Sequence, residues 1–481
     1  MEATDLGKIC RAPGPGARRK KMLVIFIYPT LALHCFNKKN YVMFIPRLLC
    51  GLGLALIVSA PGRSQKVSFT EYDLPNGLHV ILHQDKSAPV VAVSVMYHVG
   101  SKNEDTARTG FAHFFEHLLF EGSDNIKRGE FMKLVSSNGG QNNANTTQDR
   151  TFYYEVFPSN QLELGMWLES ERMYHPVINE VGVRTQNEVV KEEKRLRIDN
   201  APYSRLAGEV LGRLFVNHPY RWQPIGSMAH LDAARLDEFI AFFKKYYVPN
   251  NAVLTIAGDI DLERTRQLVT AYFAEIPKGA PVTQPHIEER PLQHAIIDTF
   301  YDSNIQIPAV VAAYRVPGIT TRDSKVMQMI SSILSGGASS RMYRKMVDEK
   351  KNAVQVVAFN YALEDYGAYI TAALPNGGAN LNDLLADIDE ETAKLQKDLI
   401  TEAEYQKLQN QFENNFVSAN TSVLGVAENL AGGYTFQHKN TNYVNEQLSQ
   451  IRSITREEIR SAARKYLNSN QRLVLYYLPG K

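Results

Sequence analysis

The residues best suited to chemistry are His113, Glu116 and His117, in the run Gly110-Phe111-Ala112-His113-Phe114-Phe115-Glu116-His117. On a helix, positions i and i+4 differ by about 40° around the axis, so the two imidazoles share one face. They can grip one metal ion at Zn–N distances of about 2.0–2.1 Å. Glu116, three positions on from His113, lies about 60° away on the same side, where it reaches water at the site without being a ligand. The order of residues inverts the better-known HExxH arrangement. With 12 His in 481 residues, chance supplies on the order of 0.02 such motifs. The competing reading is two core histidines on an apolar helix. Burying two imidazoles and a carboxylate among Phe111, Phe114, Phe115, Leu118, Leu119 and Phe120 needs a partner for each polar group, and a metal ion supplies them together. Zinc in a catalytic site takes three protein ligands, so one more is required. The charged stretch Asn187–Arg195, with Glu188, Glu192 and Glu193, is the best source, although a run of this kind is most often a solvated helix face.

Alternating strands and helices must position these groups. Val67–Leu74, an Asn76-Gly77 turn and Leu78–Gln84 read as a hairpin, and Val90–Val99 as a mostly apolar strand. Phe111–Phe120 reads as an apolar helix opened by Thr109 and closed near Gly122. Further helices are expected over Gln161–Met173, Val181–Ile198 and Leu231–Tyr247, the last leading into a strand over Ala252–Ala257. Pro277–Pro291 is rich in proline and polar residues and has no periodicity. Glu238, Ile240, Tyr247, Asn251 and Leu254 recur 219 positions later as Glu457, Ile459, Tyr466, Asn470 and Leu473. That period is too long for a solenoid and points to two similar domains. The expected organisation is a leader over 1–65, a first domain over 66–280, a linker over 281–291 and a second domain over 292–481.

The leader differs from the body in charge and in sulfur. Residues 1–65 carry ten Lys/Arg against two Asp/Glu, whereas the remaining residues carry 43 against 49. Cys10, Cys35 and Cys50 all lie in the leader, so the body can form neither a disulfide nor a cysteine metal site. Its acidic balance argues against a nucleic-acid partner, since phosphate binding needs clustered basic charge. Arg47, the uncharged run Leu48–Ser59 and Ala60-Pro61-Gly62 have the layout of an export signal, with a start at Met43 and a mature chain expected near Arg63. An uncleaved membrane anchor and an organellar presequence are the competing readings. Leu48–Ser59 and the earlier apolar run Met22–Phe36, which Pro29 interrupts, both fall short of the roughly 20 residues that a membrane-spanning helix needs.

The His113-Phe-Phe-Glu116-His117 motif, followed 76 positions later by Glu193 in a VVxEE context, resembles the pitrilysin/insulinase family of zinc metallopeptidases, the inverzincins. Leu74–Leu78, Gly139-Gly140, Asn143–Thr146 with Asp149, Thr151 and Tyr153, His218-Pro219-Tyr220, and Leu334–Tyr343 match in the same order. The resemblance covers residues 66–481. It implies an α+β fold of two homologous α/β-roll domains, each a mostly antiparallel sheet packed with helices. It also implies one Zn2+ per chain held by His113, His117 and Glu193, with Glu116 as general base. Asn143 and Ala144 would lie on an edge strand that captures substrate peptide by backbone pairing, a mode that demands only an extended chain.

Two departures from the family pattern stand out. Gln186 occupies a position where the family often has a glutamate. Val347 and Val354 replace an Arg and a Tyr, seven apart, that bind substrate in other members. The chain also resembles one half of a full-length pitrilysin-type enzyme. The resemblance therefore implies a metalloendopeptidase acting in a dimer, with a homologous non-catalytic partner carrying the Arg/Tyr pair, or failing that a homodimer. Its substrates are expected to be peptides or unfolded small proteins. The protein is expected to be periplasmic or otherwise exported. The alternatives are a non-catalytic core subunit of a membrane complex, which four intact site residues argue against, and a presequence-processing peptidase.

Overall fold

The computed structural model describes residues 66–480, so the leader and the export and anchor readings attached to it lie outside the described residues. Among the described residues no helix is long and apolar enough to cross a membrane.

The first half is built on strands β1 (Thr70–Asp73), β2 (His79–Gln84), β3 (Val90–Tyr97), β4 (Gln141–Thr146), β5 (Thr151–Pro158) and β6 (Ala252–Gly258). They form one sheet in the order β1-β2-β6-β3-β5-β4. Only the β2–β6 pair is parallel. The hairpin turns at Gly77, whose φ of 87° suits a residue without a Cβ. Its first strand begins later than the sequence suggests. Val67 leaves the sheet, and its N–H donates to Asn445 Oδ1 at 2.9 Å. The helices are α1 (Phe111–Leu118), α2 (Phe131–Ser137), α3 (Leu162–Tyr174), α4 (Glu180–Lys194), α5 (Leu206–Leu214), α6 (Met228–Ala233), α7 (Leu236–Tyr246) and α8 (Leu262–Phe273). The single helix expected over Leu231–Tyr247 is thus two. Arg235 takes an extended backbone, and Glu238 reaches back to its N–H at 2.8 Å, which starts α7 afresh.

The second half repeats the plan. Strands β7 (Ile296–Asp302), β8 (Ala309–Pro317), β9 (Ala353–Ala362), β10 (Tyr366–Pro375) and β11 (Leu473–Pro479) run in the order β7-β11-β8-β10-β9. β7 and β11 are parallel and the other pairs antiparallel. This matches β2-β6-β3-β5-β4 strand for strand. Its helices are α9 (Arg322–Ser335), α10 (Leu381–Lys397), α11 (Glu402–Ala419), α12 (Val423–Phe436), α13 (Tyr443–Arg452) and α14 (Arg456–Tyr466). The recurring residues fall on α7 leading to β6 and on α14 leading to β11. Between Phe273 and Ile296 the chain has neither helix nor strand.

The halves exchange helices. Val210, Leu211 and Leu214 of α5 pack on Val311, Ala313 and Ile370 of the second sheet. In return, Val426, Leu430 and Ala431 of α12 pack on Ile81, Met96, Phe152 and Val253 of the first. Each sheet is therefore covered on one face by its own helices and on the other by a helix of the opposite half.

One charged group lies deep in the first core. Arg172 on α3 contacts Glu155 Oε1 and Glu169 Oε1, each at 3.0 Å, with all three side chains fully buried. Its guanidinium sits 4.4 Å from the centroid of Phe120 and 4.5 Å from that of Tyr153, adding cation–π attraction. Two carboxylates share one cation, and burial together with the charge of Glu169 pushes Glu155 well above the usual carboxylate range. Removing the cation leaves them unpaired. Arg172→Met is expected to lower stability by about 3–5 kcal/mol, read as a shift in the urea denaturation midpoint.

Candidate metal centre

Helix α1 is fixed at its N-terminus before it presents any ligand. Glu104, buried in the loop ahead of it, accepts from Gly110 N–H through Oε2 and from Ala112 N–H through Oε1, both at 2.9 Å. These are two of the donors that a helix start leaves without an internal partner. Gly110 holds φ at 101°, and a Cβ at neighbouring Gly226 would stand 2.3 Å from Gly110. Thr109, expected to open the helix, instead faces His230 Nδ1 through its hydroxyl at 2.9 Å and accepts from Ser227 N–H at 3.1 Å. Two buried tyrosines tie the helix from the core side. The Tyr247 hydroxyl donates to Ala112 O at 3.2 Å and that of Tyr153 to Phe115 O at 2.9 Å.

Helix α4 supplies the third group. The Asn179 side chain caps it by accepting from Gly182 N–H at 2.9 Å. Val190 is wholly buried against the core. Glu193, one turn further on, follows on the same face. Glu192 pairs with Arg195 and is not among the converging groups. Glu193 Oε2 lies 3.0 Å from His117 Nε2 and 3.6 Å from His113 Nε2, and one ligand atom from each of the three residues falls within 4.8 Å of the others. Tetrahedral zinc with bonds of about 2.1 Å separates its ligands by about 3.4 Å. Glu193 Oε2 is buried and, although close to the His117 ring, has no well-aligned hydrogen-bond donor, a deficit that a cation relieves. Burial and the adjacent His117 ring push His113 down to about 4, while contact with His117 holds Glu193 below the usual carboxylate range. A neutral imidazole and an ionised carboxylate are the forms that bind metal. The residues fit a zinc ion.

Beyond α4 the chain passes through a π turn, Arg195–Asp199. This brings Arg197 Nη1 to 2.7 Å from Glu193 Oε1, so one carboxylate oxygen is occupied and the other is left to face the histidines. The i,i+4 spacing of Glu193 and Arg197 was the available signal for this contact. The Glu104 cap had none, since it comes from a loop without period. Glu116 faces the same space. Burial lifts its carboxyl above the usual range, against the Thr146 hydroxyl and the His117 ring.

These groups open on a groove of about 1230 Å3, lined by Glu116, Asn143, Ala144 and Thr146 on one side and by α4 from Arg184 to Glu193 on the other. β4 is the sheet edge and pairs only with β5, with Asn143 opposite Tyr154 and Ala144 opposite Tyr153. At the position where the family often carries a glutamate, the Gln186 amide donates to Glu121. Val347 packs against the second core, and Val354 is exposed on β9.

Truncating Arg197 to alanine is expected to weaken zinc binding about 10–100-fold, measured by competition with a chromophoric chelator. Glu104 supplies a pH signature. Burial raises its carboxyl from 4.5 to about 8, against the N–H groups it accepts from. The stability tied to its protonated form is fully present below its unfolded value and is lost as pH rises through its folded one. Urea midpoints should therefore fall between about pH 5 and pH 9, and Glu104→Gln should remove that part of the slope.

Two domain families of peptidase family M16 match the chain. "Insulinase (Peptidase family M16)" matches residues 79–217, and "Peptidase M16 inactive domain" matches residues 233–412. The zinc protease PqqE of Helicobacter pylori is 28% identical over 443 residues, spanning 91% of this chain and 99% of that protein. The crystal structure of a protease from Helicobacter pylori superposes with a TM-score of 0.80 at 28% identity, covering 86% of this chain and all of the other. The periplasmic protease PqqL of Escherichia coli shares the fold at 18% identity and a TM-score of 0.71, with 85% of this chain matching 47% of that structure. With both sequence matches drawn from one family and its fold reproduced, the chain belongs to the insulinase/pitrilysin (M16) family of zinc peptidases.

Proposed function

We propose that this protein is a zinc-dependent endopeptidase that cleaves extended peptides or unfolded small proteins. The observation that carries this reading is the convergence of His113, His117 and Glu193 beside Glu116, in a groove whose other wall is the edge strand β4. One zinc ion per chain, held by His113, His117 and Glu193, supplies Lewis acidity that polarises a scissile carbonyl and lowers the pKa of water at the site. Glu116 takes the proton of the attacking water on its carboxylate and delivers it to the leaving amine. Its raised affinity for a proton, which burial provides, suits a group that must accept one and then release it. β4 presents unpaired backbone groups along the groove, and an extended substrate adds there as a further strand. Asn143 and Ala144 are the residues at the centre of that contact. Such pairing reads the backbone and leaves side-chain preference to the rest of the groove.

Val347 and Val354 support a second part of the proposal. Neither valine can donate a hydrogen bond to a peptide carbonyl, and the chain matches about half of the longer Escherichia coli protease. A homologous partner subunit that brings the Arg/Tyr pair would complete the groove, with a homodimer as the simpler assembly. The leader supports export, and the Escherichia coli protein of the same fold is periplasmic.

Zinc content and cleavage of an unstructured peptide library, measured together, test the reading. Glu116→Gln is expected to keep zinc and lose turnover by at least about 100-fold, whereas His113→Ala, His117→Ala and Glu193→Ala lose both. Normal cleavage by Glu116→Gln would refute the assignment of the base. Full activity from the chain alone, unchanged by added homologous subunits, would refute the partner.

A further inference from the structure

The turn joining β4 to β5, residues 147–150, is gripped from the C-terminal half at three successive positions. Gln148 Oε1 accepts from the Tyr361 hydroxyl at 2.9 Å. Asp149 Oδ2 accepts from the Glu364 N–H at 2.9 Å, while its Oδ1 accepts from the Tyr220 hydroxyl at 2.6 Å. Arg150 donates to Glu428 Oε1 of α12 at 2.6 Å. At the centre is Lys102, its side chain wholly buried, 3.3 Å from Asp149 Oδ1, 2.5 Å from Glu364 Oε2 and 3.5 Å from Asp365 Oδ2. His98 at 2.7 Å from Glu364 and His218 at 3.1 Å from Asp365 close the cluster. Tyr361, Glu364 and Asp365 belong to β9 and the β9–β10 turn, so the contacts cross from one half to the other. Asp149, His218 and Tyr220 are motif residues for which the metal site has no use.

The physics of such a cluster favours one geometry. A buried ammonium among carboxylates is tolerated only when each charge keeps its partners, and small displacements leave charges unpaired. β4 enters the turn at Thr146, which still pairs with Thr151, and it has a single neighbouring strand. A strand held on one side only is the part of a sheet that opens most readily.

We propose that this buried cluster is a latch through which the C-terminal half positions β4 for peptide pairing, with Lys102 and Glu364 as positioning residues. The proposal rests on the reading of β4 as the peptide-pairing edge. The second half then contributes to substrate binding without touching substrate, by setting where the edge strand lies.

Hydrogen–deuterium exchange of the full-length protein carrying Glu364→Gln tests the latch without requiring activity. Amides of residues 141–150 are expected to exchange about tenfold faster, with those of β3 unchanged. In zinc-loaded protein also carrying Glu116→Gln, the Kd for fluorescein-labelled β-casein should rise by a similar factor. Glu364→Asp, which keeps the charge, should recover part of both effects. Tyr361→Phe, a smaller lesion, provides the same comparison if Glu364→Gln does not fold. Unchanged exchange in 141–150, or a rise that β3 shares in proportion, would overturn the latch and leave an ordinary interface. Faster exchange with unchanged β-casein binding would overturn peptide pairing at β4 and, with it, the functional role of the latch.

Discussion

Everything in the first half is arranged around the cost of carrying two imidazoles into an aromatic core. His113 and His117 lie on a helix whose other positions, apart from Ala112 and Glu116, are phenylalanine and leucine, and water does not reach His113 freely. An isolated polar group in such a place is expensive, whereas a ligand set around a cation is not. That condition requires α1 and α4 to hold a fixed distance and rotation. The Glu104 cap, the tyrosine hydroxyls on α1, the Gly110–Gly226 contact and the buried Val190 face of α4 meet it. None of them touches the metal position, yet each sets where a ligand atom falls.

The same requirement explains why the fold is doubled. A sheet with two apolar faces needs cover on both. Here each half supplies its own helices on one face and lends a single helix, α5 or α12, to the other half. Neither sheet is buried on both faces without the other half, which gives the part without ligands a structural reason to persist. Divergence after duplication is then visible as division of labour. β4 and β9 hold equivalent places at the sheet edges, but among the described residues only β4 borders a candidate metal site. Val347 is a packing residue of the second core, and Val354 is exposed on β9.

Charge is used sparingly inside and in unequal sets. Arg172 faces two carboxylates, and Lys102 faces three with two histidines beside them. Clusters of this sort add little net stability compared with apolar packing, but they discriminate strongly between correct and displaced geometries. They sit where displacement would matter, beneath α1 and at the turn that leads out of the edge strand.

The sequence by itself determined the candidate ligands His113 and His117, the position of Glu116 and the alternation of strand and helix, because helical spacing and hydrophobic period are local quantities. It also revealed the duplication, since α7–β6 and α14–β11 keep matching residues at a constant offset. Residues 187–195 alone could not single out Glu193, because a charged helix does not announce which face is buried. Family resemblance supplied that choice, and the packing of Val190 gives its physical reason. The Glu104 cap, the exchange of α5 and α12 and the Lys102 cluster were decided only by tertiary structure. Each joins residues that are distant in sequence or lie in loops without period, and their partners are set by how the two sheets come together.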